Sequence, residues 1–132
     1  MKVEELVAHG VGAAGVVRWG VALDRRGRAG HKEVAMYVSL RTYEMTEDWD
    51  AALVKHLDEG FLPQVEQVPG FVAYYALEAG PRLFASVTIA EDRAGIEESN
   101  RLAAEYVQRH LFDRFPTAPE ITAGGIRASR VA

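Results

Sequence analysis

Cysteine is missing from the chain altogether. That excludes disulfides, thiolate nucleophiles and zinc–thiolate centres, and it fits a cytoplasmic protein. A basic excess is missing too: 15 Lys and Arg stand against 19 Asp and Glu, for a net charge of −4. Neither nucleic acid nor an anionic membrane is therefore an expected partner. No apolar run is clean enough to span a bilayer. Residues 1–23 come nearest, but Glu4, Glu5, His9 and Arg18 interrupt them among Gly10, Gly12, Gly15 and Gly20. Glu4 and Glu5, so close behind Lys2, are also unlike the basic start of a secretory signal. No His-x-x-x-His or Glu-x-x-His pair stands on one helix face, so no metal is expected. The spacing G-x-G-x-x-G occurs at 10–15 without the strand before it and long helix after it that would make it a dinucleotide fingerprint.

What is present is ordinary globular composition, 48% hydrophobic and 26% charged over 132 residues, enough for one domain with a real core. The most strongly patterned stretch is 68–89, two aromatic and β-branched runs hinged at 78–81, where Gly80 and Pro81 favour a reversal. It reads as a β-hairpin. Residues 36–44 alternate, with Tyr37, Ser39, Arg41 and Tyr43 on one face and Met36, Val38, Leu40 and Thr42 on the other, which predicts a strand. Thr46, Glu47 and Asp48 suit a helix start. Trp49, Ala52, Leu53, His56, Leu57 and Phe61 then recur at helical spacing up to Gly60 and Pro63. Ile96, Ser99, Ala103, Tyr106, Val107 and His110 trace a second amphipathic helix, in which Glu97 to Asn100 read as a solvated start. Residues 114–119 hold two prolines and read as loop, and 121–127 offer a last strand, with a bulge or close backbone approach at Gly124 and Gly125.

Residues 1–35 are patterned differently. A short helix at 3–9, a short strand at 16–23 and a loop at 24–30 are expected there, within either a weakly structured extension or an added packing element. The domain proper is expected at 36–128, with a tail at 129–132. Its order, strand, helix, strand, strand, helix, strand, is the ferredoxin-like split βαβ of an α+β fold: a four-stranded antiparallel sheet with two helices on one face. Apolar residues on both strand parities would leave the other face exposed, which soluble monomers rarely tolerate. A homodimer through that face is expected.

The runs YVSLRTYEM at 37–45, VPGFVAYYALEAG at 68–80 and LFASVTIAEDRAGIEESNRLA at 83–103 resemble the dimeric α/β-barrel superfamily, in particular its antibiotic-biosynthesis-monooxygenase-like (ABM) domain. LRTY at 40–43 is similar to the opening strand of NIPSNAP-type members. The resemblance implies two ferredoxin-like sheets pairing face to face, with a small-molecule pocket between each sheet and its helices. Members include cofactor-independent oxygenases of phenolic or quinol substrates, haem-degrading enzymes, isomerases and proteins without known activity. The haem-degrading members use an Asn, a Trp and a His. Here Arg41 stands near the Asn position and the third strand has no Trp, so neither haem nor any other cofactor is expected.

The implied function is a small-molecule-binding homodimer, acting as a monooxygenase without cofactor on an aromatic or quinone-like compound. The alternative is a non-catalytic ligand-binding or stress-response dimer. The candidate pocket is the face of Tyr37, Ser39, Arg41 and Tyr43. Arg41 would pair with a phenolate or carboxylate of the ligand through its fork of donors, unless it is a structural arginine. His56 and His110, expected to point at the sheet, are candidate bases, with His56 preferred and Tyr106 or Tyr43 as its partner. Tyr74, Phe84 and Ser86 would extend the pocket or pack the sheet interface.

Overall fold

A computed structural model of the chain describes residues 2–7, 16–21 and 36–132, and within the first two stretches the side chains of residues 17–20 only. The expected loop at 24–30 and the glycine spacing at 10–15 lie outside the described residues. From residue 36 the alternating runs pair as the sequence predicts. Strands β3 (Tyr37–Glu44), β4 (Phe71–Gly80), β5 (Leu83–Ala90) and β6 (Glu120–Gly125) lie in the spatial order β6-β3-β5-β4, all antiparallel. The β4–β5 reversal falls one residue later than expected, at Pro81 and Arg82. Arg82 takes a left-handed φ of 54°, and its N–H donates to the Asp48 carboxylate at 2.6 Å.

The sheet is larger than the expected four strands. Strands β1 (Lys2–Val7) and β2 (Val16–Val21) extend it at the β6 edge to six, and β2 runs parallel to β6, so the sheet is mixed. Where a helix was expected at 3–9, the described residues 3–7 are strand, because β2 supplies them with backbone partners such as Trp19 opposite Glu4; pairing across chain segments overrides local pattern. Val17 and Trp19 are buried against Ala90, Ile96, Ile121 and Ala123, and the Arg93 guanidinium lies 4.2 Å from the Trp19 ring centroid. At the two glycines the β3–β6 register runs unbroken, with Gly124 opposite Val38, and Gly124 lies beside the Gly20 backbone.

The first helical rod starts at Asp50, whose carboxylate accepts from the Leu53 N–H at 2.9 Å. The expected capping residues serve elsewhere: the Thr46 hydroxyl donates to the Asp113 carbonyl at 3.1 Å. The rod comprises α1 (Ala51–Lys55), a π-helical segment (His56–Phe61) and α2 (Leu62–Val65). Its buried residues are Leu53, Leu57, Phe61 and Val65, every fourth position. A strict four-residue repeat drifts around an ordinary α-helix, and the wider π turn, in which the Leu62 N–H reaches back to the Leu57 carbonyl, keeps it on one line. Helix α3 (Arg93–His110) is capped by Asp92, which accepts from the Gly95 N–H at 2.7 Å. Both helical elements pack on one sheet face around Tyr43, Phe84 and Phe115, whose rings meet edge to face. The opposite face carries Leu40, Tyr75 and Leu77 exposed. Among the described residues no helix is long and apolar enough to cross a membrane, and no group of His, Asp or Glu is arranged to hold a metal.

Candidate functional site

The period-2 pattern of β3 turns Ser39, Arg41 and Tyr43 under the helices, and β5 does the same with Phe84, Ser86 and Thr88. Arg41 lies at the centre and is only 2% exposed. Its Nε donates to Ser86 Oγ at 3.3 Å and its Nη2 to Thr88 Oγ1 at 3.3 Å. Nη1 donates to Asn100 Oδ1 at 2.8 Å and to the Ser99 carbonyl at 3.3 Å. The Ser39 hydroxyl holds the same Asn100 oxygen at 2.8 Å. Every one of these acceptors is neutral. Arg41 therefore carries a permanent charge into the core without a carboxylate partner among the described residues, an arrangement that costs free energy unless something anionic compensates it.

Beside the guanidinium is a small, partly open cavity of about 30 Å³, lined by Arg41, Ser86, Tyr43, Tyr74, Tyr106 and the apolar residues Leu57, Phe61, Phe84, Ala103, Val107, Leu111 and Phe115. Burial pushes the phenols of Tyr43 and Tyr74 above the usual tyrosine range, and the Arg41 charge partly draws each back. Tyr74 is also drawn down by hydrogen bonding from Ser86 and Arg41. Both phenols stay protonated around neutral pH, so they are donors to a bound oxygen and poor bases.

Of the residues singled out from sequence, Arg41, Tyr43, Tyr74, Phe84, Ser86 and Tyr106 line this cavity. Ser39 stands behind it, orienting Asn100. Tyr37 is not at the cavity; it packs edge-on to Trp19 at 6.4 Å, in the second core. Neither histidine points at the sheet. His56 sits at the margin of the buried line, where the every-fourth-residue repeat leaves it, and its Nδ1 lies 3.0 Å from Tyr106 Oη. The Tyr106 hydroxyl donates to the His56 carbonyl at 3.1 Å, so the consistent tautomer has Nδ1–H donating to the phenol. Gly60 makes this possible, since a Cβ there would overlap the Tyr106 hydroxyl. His110 is exposed in the last turn of α3, tilted against Tyr106 at 4.7 Å. Both histidines line a surface groove of about 280 Å³ with Ala52, Arg109, Leu111, Phe112, Asp113 and Arg114.

The sequence does not single out Asn100 and Ser99 as site residues: Ser99 falls on the amphipathic stripe, but Glu97 to Asn100 read as a solvated helix start. They are 5% and 1% exposed, tied to a residue some 60 positions earlier in the chain. The available signal was their place between Ile96 and Ala103 on the buried stripe.

No family model matches the sequence, and no curated protein does. Solved structures do match. One from Nitrosomonas europaea, described as an antibiotic biosynthesis monooxygenase, is 13% identical with a TM-score of 0.57, covering 73% of this chain and 94% of its own. A NIPSNAP-like domain protein from Burkholderia xenovorans is 17% identical with a TM-score of 0.54, covering 76% and 91%. The ActVA-Orf6 monooxygenase of Streptomyces coelicolor, in complex with Nanaomycin D, is 14% identical with a TM-score of 0.56, covering 75% and 93%. At these identities the likeness is one of fold. With its β6-β3-β5-β4 sheet and two helical elements on one face, the chain shares the fold of these antibiotic biosynthesis monooxygenase and NIPSNAP-like domain structures.

Proposed function

We propose that the protein is a homodimeric small-molecule-binding protein of the ABM fold whose ligand is a small aromatic or quinone-like compound bearing an ionised oxygen, held on Arg41. The observation that carries this reading is the buried guanidinium with only neutral partners beside a cavity: the missing counter-charge is supplied by the ligand. Arg41 stabilises a phenolate over its phenol, so the ligand ionises on binding without a side-chain base, and Tyr43 and Tyr74 serve as donors. The reaction that fits is oxygenation without a cofactor. An electron-rich phenolate adds molecular oxygen at a ring carbon bearing hydrogen. The resulting hydroperoxide loses that hydrogen and its terminal oxygen as water, leaving a quinone, so that phenol plus O2 gives quinone plus water.

The second reading, a binding dimer without catalysis, is favoured by the lack of a base among the described cavity residues. Oxygen uptake with a hydroquinone separates the two. Binding itself is tested by Asn100→Asp, which places a carboxylate 2.8 Å from Arg41 Nη1. Affinity for 4-nitrophenolate is expected to fall about tenfold or more, equivalent to at least about 1.4 kcal/mol, while the fold is retained. Unchanged affinity in a folded Asn100→Asp protein sinks the anionic-ligand reading.

A further inference from the structure

The partly open cavity at Arg41, about 30 Å³, has room for a water molecule or two, far short of the roughly 300 Å³ at which small-molecule pockets begin. Its size suits an occupant smaller than any aromatic compound, and its chemistry asks for a negative one. The four hydrogen bonds of Arg41, to Ser86, Thr88, Asn100 and the Ser99 carbonyl, all end on neutral oxygens. They satisfy donors of the guanidinium and leave its charge unbalanced.

Two phenols border the same space. Tyr43 is 3% exposed, and no hydrogen bond ties its hydroxyl to another described residue. The Tyr74 hydroxyl lies within reach of Arg41 and Ser86. The Tyr106 hydroxyl, by contrast, is engaged with the His56 carbonyl.

We propose, resting on the reading of Arg41 as an anion site, that the cavity binds a single halide ion, chloride or bromide, which balances Arg41 until the oxygen of the organic ligand displaces it. Three features select a halide. The volume holds a particle little larger than water, which leaves out sulfate, phosphate and the organic acids. Beyond the polar groups the lining is apolar, with Leu57, Phe61, Phe84 and Val107 in it, so an ion sheds most of its water there. A singly charged, weakly hydrated ion does so at the least cost. The polar groups themselves are the Arg41 guanidinium, the Ser86 hydroxyl and phenols that keep their protons, and no carboxylate among the described lining residues repels an anion. Because the cavity is partly open, the ion exchanges with solvent without displacing a side chain.

Chloride NMR of the full chain tests this, since an ion exchanging on and off a protein gives a broadened line. The wild type is expected to broaden the line, and bromide or 4-nitrophenolate to narrow it again by competition. Asn100→Asp, which sets a carboxylate beside Arg41, is expected to abolish the broadening. Tyr43→Phe keeps the ring and removes one donor, and should weaken chloride about tenfold; it also decides the matter should Asn100→Asp fail to fold. A line broadened no more by the wild type than by these variants overturns the halide site. So does 4-nitrophenolate that binds, by its absorbance, without narrowing the line, and the aromatic-ligand reading then stands alone. Chloride bound at Arg41 with no binding of 4-nitrophenolate supports the ion site and sinks the aromatic-ligand reading instead.

Discussion

Arg41 shows how one side chain can be structural and functional at once. Four hydrogen bonds from one planar fork tie β5 and α3 to β3, a geometry that a lysine ammonium cannot reproduce. Arg41→Lys is therefore expected to cost about 2–3 kcal/mol, because acceptors buried for a guanidinium lose their donors; the shift of the urea midpoint measures it. The neighbouring phenols give a second prediction. Of the five tyrosines, Tyr43, Tyr74 and Tyr106 have pKa values raised by burial. Their folded values lie above the unfolded one, so the stability that they contribute is intact below about pH 10 and is lost as pH climbs through the folded values. Spectrophotometric titration of the native protein should show these three ionising late. Tyr74→Phe should remove one late proton, and a titration without any late-ionising phenol would contradict the burial that defines the cavity. Period-2 alternation put Ser39, Arg41 and Tyr43 on one face of β3, but alternation alone does not say which face meets the helices. Asn100 was not legible either, because burying an amide makes sense only once its partner across the fold is known.

Among the elements, the helical rod departs most from what its residues suggested. The pattern at 49–61 was read with an α period, and that period puts His56 on the sheet side. The side chains that the core selects, Leu53, Leu57, Phe61 and Val65, recur by fours, and the chain meets that demand with a π segment that leaves His56 at the edge. The His56–Tyr106 contact follows, and its tightness makes it testable. Gly60→Ala is expected to destabilise by about 1–3 kcal/mol, because its Cβ must displace the Tyr106 hydroxyl. In Gly60→Ala/Tyr106→Phe the hydroxyl is gone, and the double variant should lose clearly less than the two single losses added together. Strict additivity would mean that the methyl is accommodated elsewhere. At the other end of the chain, residues 16–21 held the right local signal for β2. Its partner, the edge of β6, is some 100 residues away, and only the closed sheet reveals that Trp19 completes a second core over Ile96.

At the scale of the molecule, one face of the sheet is left uncovered by the described residues. Helices, cavity and both cores lie on one side of the sheet. The other side presents Leu40 from β3 and Tyr75 and Leu77 from β4, each at least 45% exposed, with the half-buried Val38, Ala85, Val87 and Ile89 between them. Strand pairing sets these side chains in one patch: Leu40 opposite Val87, Val87 opposite Tyr75, and Ala85 opposite Leu77. Solvated apolar patches of this kind mark interfaces, and a second copy related by a two-fold axis would cover both patches at once. Sedimentation at micromolar concentration should therefore give a dimer. Leu40→Glu with Leu77→Glu should give a monomer, since each charge would be buried without a partner at the interface and neither substitution touches the core. A monomeric wild type, or a dimer that survives both glutamates, would place the contact elsewhere. The helices would then need another explanation for packing on one side only of a sheet that is apolar on both.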